Sequence, residues 1–78
     1  MSVEVRLYAT LRRCSPESPG GVLSVEVPIG YSVAELLGKM NIAAGEVHIV
    51  MINGVISTLE SALHDGDRVG LFPAVGGG

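Results

Sequence analysis

The sequence predicts an α+β domain in two layers, with one main helix packed on one face of a mixed sheet of four to five strands. Three observations lead there. Over residues 3–10 and again over 23–29, apolar residues alternate with polar ones, the period of a strand with one buried face. A single later segment, opening at Ser32, carries its apolar residues at helical spacing. Beyond it, two further apolar runs are bounded by turn residues, as strands are.

In chain order, Val3, Val5, Leu7 and Ala9 alternate with Glu4, Arg6, Tyr8 and Thr10. A loop rich in Ser, Pro and Gly is expected from Arg12 to Gly21. Leu23, Val25, Val27 and Ile29 then alternate with Ser24, Glu26 and Pro28. The two strands are expected to pair antiparallel, with Pro28 marking the second as an edge or ending it. Gly30-Tyr31 turns the chain, and Ser32 with Glu35 forms an S-x-x-E capping box. Val33, Leu36, Leu37 and Met40 follow at i, i+3, i+4 and i+7, one apolar stripe, and Asn41 supplies a stop. Residues 47–52 are almost wholly apolar, broken by His48, and read as a central strand buried on both faces. Asn53-Gly54 signals a type I′ hairpin turn, after which Val55-Ile56 returns briefly. Leu59 and Leu63 fit a short helical turn, Asp65-Gly66-Asp67 another turn, and residues 69–72 a last strand. Pro73 cannot donate to a ladder, so the domain is placed at residues 1–73 and a mobile Gly-rich tail at 74–78.

Seventy-eight residues hold one core. A chain of that size buries about 60–65% of its unfolded surface, so only modest stability is expected. With 47% apolar residues it needs no staples, and its one cysteine excludes an internal disulfide. A reducing, cytoplasmic setting follows as the expectation. The first residues alternate in polarity, unlike a signal peptide or a membrane span. A net charge of −3, five basic residues and few aromatics leave no footprint for nucleic acid.

The chemistry-bearing feature is the end, Gly76-Gly77-Gly78. Glycine has no Cβ and passes through a channel where a side chain would clash. A glycine carboxylate is unhindered, which fits adenylation followed by attack of a sulfur nucleophile on the acyl carbon. Residues 73–78, fully extended, span about 20 Å, enough to reach a buried site on a partner.

Residues 71–78, Leu-Phe-Pro-Ala-Val-Gly-Gly-Gly, resemble the F-P-P-V-x-G-G ending of the small subunits of molybdopterin synthase, which are ThiS-like, ubiquitin-like sulfur carriers. Residues 8–12, Tyr-Ala-Thr-Leu-Arg, are similar to that family's F-A-x-[LV]-R segment, and residues 50–54 and 63–69 to its V-N-x and L-x-D-G-D-x-V stretches. The likeness runs through the whole chain in the same order. It implies a β-grasp, ubiquitin-like fold. It also implies a carrier whose terminal glycine is adenylated by an ATP-using, ubiquitin-activating-like adenylyltransferase and converted to a thiocarboxylate with sulfur from a donor protein. Within a heterotetramer with the large synthase subunit, that sulfur would build the molybdopterin dithiolene. Gly78, with Gly77, is then the reacting end, and Tyr8, Arg12, Phe72, Pro73, Val75 and Gly76 are the residues that meet partners. No metal and no resident cofactor are implied. Two positions depart from the pattern: Ala74 replaces the second proline, and Arg13 an acidic residue. A sulfur carrier for thiamine or another pathway, and a modifier conjugated through its terminal glycine, share the same outline.

Other residues carry less. Cys14 is a lone thiol without a placed base, His48 reads as a strand histidine and His64 as a surface one, and Asp65 and Asp67 read as turn residues. No Ser/His/Asp set, phosphate loop or paired catalytic carboxylates can be assembled, so the chain is not expected to be an enzyme on its own. Tyr8 and Phe72 are expected on the sheet face that the helix leaves uncovered, forming an apolar docking patch with the residue 55–56 return.

Overall fold

Alternation along the first strand decides which side of the sheet becomes the core. A computed structural model describes residues 1–14 and 21–73, without the side chains of residues 12–14. In β1 (Ser2–Leu7) Val3, Val5 and Leu7 are buried, and Arg6 lies exposed on the opposite face. β2 (Val22–Glu26) pairs antiparallel with β1, from Ser2 opposite Glu26 to Arg6 opposite Val22. The helix α1 (Val33–Lys39) buries Val33, Leu36 and Leu37 against that inner face. Full burial of each such side chain contributes roughly 1.5–3 kcal/mol. β3 (Val47–Ile52), β4 (Val55–Ser57) and β5 (Arg68–Pro73) complete a five-stranded sheet in the order β2-β1-β5-β3-β4. β5 runs parallel to β1, and the other neighbours are antiparallel. Leu11, Val27, Ile42 and Leu63, from the connections, close the core around the helix.

Local signals explain the junctions. Ser32 Oγ accepts from the Glu35 amide at 3.2 Å while Glu35 Oε1 accepts from the Ser32 amide at 3.0 Å, the full capping box. Asn41 at φ 59° takes the left-handed position just after the helix, where Gly or Asn is favoured. Asn53 and Gly54 both have positive φ, 52° and 81°, as a type I′ hairpin demands.

Five expectations are corrected. β1 ends at Leu7: Ala9, at φ 50°, opens a 3₁₀ helix, Ala9–Cys14, where a continued strand and then a loop were expected. That turn swings Leu11 fully into the core, which an extended chain would not do. β2 stops at Glu26, leaving Ile29 90% exposed. No helical turn forms around Leu59 and Leu63. There the carbonyls of Leu59 and Ser61 accept instead from the Ala34 and Val33 amides, satisfying two of the donors that a helix start leaves unpaired. β3 is not central and not buried on both faces: the middle position belongs to β5, and His48 and Ile49 are exposed. With one helix available, only one face of the sheet is covered. Finally, Pro73 is the last residue of β5, paired with Val47, rather than the first residue past it.

Candidate functional site

The uncovered face is built from alternate residues of four strands. Arg6 lies opposite Gly70, Gly70 opposite Met51, and Met51 opposite Ile56, so these four form one row across β1, β5, β3 and β4. Phe72, two residues beyond Gly70 on the same face, lies opposite Ile49. Tyr8 leaves β1 but is held in line by its amide, which donates to Leu71 O at 3.2 Å. Its ring stacks on Phe72 with centroids 4.2 Å apart and planes 6° from parallel. Offset or stacked pairs of this kind add about 0.5–1.5 kcal/mol beyond burial.

Gly70 sets the depth of the face. A Cβ there would stand 3.4 Å from Phe72 Cε1, 3.6 Å from Tyr8 Cε2 and 3.9 Å from Met51 Cβ, so the missing side chain leaves the floor of a recess between the rings and Met51. The recess encloses about 340 Å³ and is bordered by Arg6, Asn53, Gly54 and Arg68 as well. Arg6 Nε donates to Glu4 Oε2 at 2.8 Å, which raises the guanidinium pKa and keeps the charge fixed. Ile56, 73% exposed, extends the apolar surface onto β4, while its neighbour Val55 pairs with Ile52 and points to the other face. The face is therefore an apolar centre with two guanidinium groups at its border, the composition of a protein-docking surface.

The predicted residues divide three ways. Tyr8 and Phe72 come together on the open face, whereas Pro73, expected to meet partners, is buried and alternates onto the inner face with Val69 and Leu71. Arg12 lies in the Ala9–Cys14 turn with its side chain outside the described residues. Val75, Gly76, Gly77 and Gly78, together with the expected tail as a whole, also lie outside them. Sequence reasoning missed Met51, Ile49, Gly70 and Arg68 on this face. Alternation within residues 47–52 held the signal for the first two, but it was masked by an apolar run that reads the same whether its outer face is covered or open.

The remaining polar residues take structural places. Asp67, largely buried, accepts from Asn53 Nδ2 at 2.9 Å and from the His64 amide at 2.8 Å. Asn53 Oδ1 in turn accepts from the Arg68 amide at 3.0 Å, tying the hairpin turn to the start of β5. His64 itself is exposed. Among the described residues no three His, Cys, Asp or Glu side chains gather as a metal site, and no helix is long and apolar enough to cross a membrane.

Comparison with known proteins adds what geometry cannot. The ThiS family pattern matches residues 5–78, nearly the whole chain. The chain belongs to the ThiS family. Its structure is similar to that of the Haloferax volcanii HVO 2177 protein, with TM-score 0.78 and 28% identity over 100% of this chain and 87% of that one. It is similar also to small archaeal modifier protein 1 from the same organism, with TM-score 0.73 and 25% identity over 100% of both chains. Subunit 1 of the molybdopterin-converting factor of Helicobacter pylori, solved in complex with subunit 2, shares the fold at TM-score 0.63 and 24% identity over 100% of both chains. No curated protein sequence matches. The fold is thus the β-grasp, ubiquitin-like one, and this ThiS-family chain is a sulfur carrier or ubiquitin-like modifier.

Proposed function

We propose that this ThiS-family protein is the sulfur-carrying small subunit of a molybdopterin synthase, with Gly78 as the carrying residue. The observation that carries the reading is the family match running through residue 78, so that it includes the Gly76-Gly77-Gly78 end. A partner enzyme uses ATP to convert the Gly78 carboxylate to an acyl-adenylate. Hydrosulfide supplied by a donor protein then attacks the acyl carbon, the C–O bond to the phosphate breaks, AMP leaves with the electron pair, and a thiocarboxylate remains. β5 supports this use of the end: it is held on both sides as far as Leu71, by β1 and β3, and by β3 alone as far as Pro73. The described part of β5 ends at Pro73, the residue after Phe72 of the stack. Docking on the open face and presentation of the glycines are then neighbouring events, and the large synthase subunit is the partner that receives the sulfur.

The test is a mass measurement. Incubated with ATP, the adenylating enzyme and a sulfur donor, the protein gains the mass of one sulfur-for-oxygen exchange on its C-terminal peptide, and a chain lacking Gly77 and Gly78 does not. Sulfur transfer retained by the shortened chain counts against the proposal. A second reading, a modifier joined through Gly78 to amines of other proteins, is favoured by the full-length likeness to small archaeal modifier protein 1.

A further inference from the structure

Asn41 and Asn53 are the only side-chain amides in the sequence, and Asn53 alone is followed by glycine. The main-chain nitrogen after an asparagine is one ring closure away from that residue's carboxamide carbon, so the next residue decides how readily the ring forms. Gly54 offers no side chain, and even a Cβ built there would meet nothing within 4 Å. Asn41 is followed by Ile42, whose β-branch crowds its own nitrogen and whose amide already donates to Leu37 O at 2.9 Å. Against this open chemistry the fold ties Asn53 to β5 at three points. Its Nδ2 donates to Asp67 Oδ1 at 2.9 Å, and its Oδ1 accepts from the Arg68 amide at 3.0 Å. Its main-chain amide donates to Arg68 O at 2.8 Å. The hairpin's own second strand holds less: β4 has three residues, lies at the sheet edge, and leaves Val55 and Ile56 exposed. Short exposed edges of this kind open locally at a fraction of the free energy of global unfolding. The bonds to β5 are therefore what hold the turn shut.

We propose that Asn53 is a deamidation site, with water as co-reactant, and that its latch to Asp67 sets the rate. When the turn opens, the Gly54 nitrogen gives its proton to water and attacks Asn53 Cγ. A C–N bond forms, the Cγ–Nδ2 bond breaks, and Nδ2 leaves with the electron pair, taking up a proton to become ammonia. Water then adds to one carbonyl of the cyclic imide and reopens it, leaving aspartate or isoaspartate. The sum is amide plus water to acid plus ammonia, with nothing oxidised or reduced. The new carboxylate faces Asp67 where a donor stood, and like charges so close repel. Isoaspartate also lengthens the main chain inside a two-residue turn whose geometry sets the hairpin register. Asn53 and Gly54 border the recess together with Arg6 and Arg68. Deamidation thus sets a negative charge between those guanidinium groups and loosens the corner where β3 meets β5.

The experiment holds the full chain, folded and in denaturant, at mildly alkaline pH and follows it by peptide mass. Trypsin cuts after Lys39 and Arg68, so one peptide, residues 40–68, carries both asparagines and each is the other's control. Acid and its isomer should appear at Asn53 while Asn41 stays an amide, and more slowly in the folded chain than in denaturant. Asp67→Ala releases the latch and should speed conversion in the folded chain on the order of tenfold. Asp67→Asn keeps one acceptor for Asn53, should fall between the two, and serves if Asp67→Ala does not fold. Asn53→Asp, made directly, should melt below wild type. Equal conversion at Asn41, or none at Asn53 in the folded chain, overturns the site. A folded Asp67 variant that converts as slowly as wild type overturns the latch, and an unchanged melting point in Asn53→Asp overturns the loosening.

Discussion

Gly70 and Phe72 allow stability and recognition to be separated at the scale of single residues. The space above Gly70 accepts a methyl group at ordinary contact distance, the nearest atom being Phe72 Cε1 at 3.4 Å. Glycine inside a strand costs roughly 0.5–1 kcal/mol relative to alanine. Gly70→Ala is therefore expected to hold or raise the thermal midpoint, and to weaken partner binding by raising the floor of the recess. Calorimetry and titration on the same protein sample check both signs. Phe72→Ala removes the stack on Tyr8 but no core contact of the kind Leu71 makes, so a loss of about 0.5–1.5 kcal/mol is expected. Truncating a core aromatic costs about 3–5 kcal/mol, and a loss that large would place the ring in the core. Asp67 behaves in the opposite way. Asp67→Ala strands the Asn53 amide and the His64 N–H, each within 2.9 Å of its carboxylate. About 1–3 kcal/mol of unfolding free energy should go with it, with docking unchanged.

At the scale of elements, legibility followed how local each cause is. The capping box, the helical stripe and the Asn53-Gly54 turn are written within a few neighbouring residues, and each forms as the sequence states. Ser32→Ala should cost about 1 kcal/mol, read as a shift in the denaturation midpoint, because Glu35 N loses its acceptor. The pairing of β1 with β2 was legible for the same reason, since both strands show one buried face. What was not legible depends on partners far along the chain. Residues 58–63 lose their helical turn because their carbonyls are spent on the start of α1, some 25 residues earlier in sequence. Residues 47–52 read as central because apolar content reports burial potential and not which layer covers it. β5, with Arg68 and Gly70 in it, looks a poorer central strand, yet its pairing with β1 and β3 puts it in the middle. The aromatic pair was legible because alternation fixes a face, whereas the recess needed the cross-strand register that sets Gly70 between Arg6 and Met51.

At the scale of the whole molecule, the fold separates a part that must be rigid from a part that must fit elsewhere. The core spends its apolar residues on one face, so the other face can be shaped for a partner without loss of packing. β5 meets that face at Phe72, one residue before its end at Pro73, and residues 74–78 follow in sequence. The described core of β5 consists of Val69 and Leu71, so a change at Gly76 is expected to leave the folded body alone. Gly76 gives the sharpest case. A valine adds two methyl groups where the proposed route needs a thread without side chains, and its β-branch restricts the backbone to fewer shapes. Glycine, by contrast, surrenders about 1–2 kcal/mol of backbone freedom when it is ordered, a cost that contacts in the proposed channel would have to offset. Gly76→Val is thus expected to keep the wild-type thermal midpoint and to bind partners through the open face, while adenylation of Gly78 slows by at least an order of magnitude. Pyrophosphate release during adenylation reads the rate, and titration against the same enzyme reads docking. Unchanged pyrophosphate release would remove the threaded route, since docking on the face would then suffice to present the end.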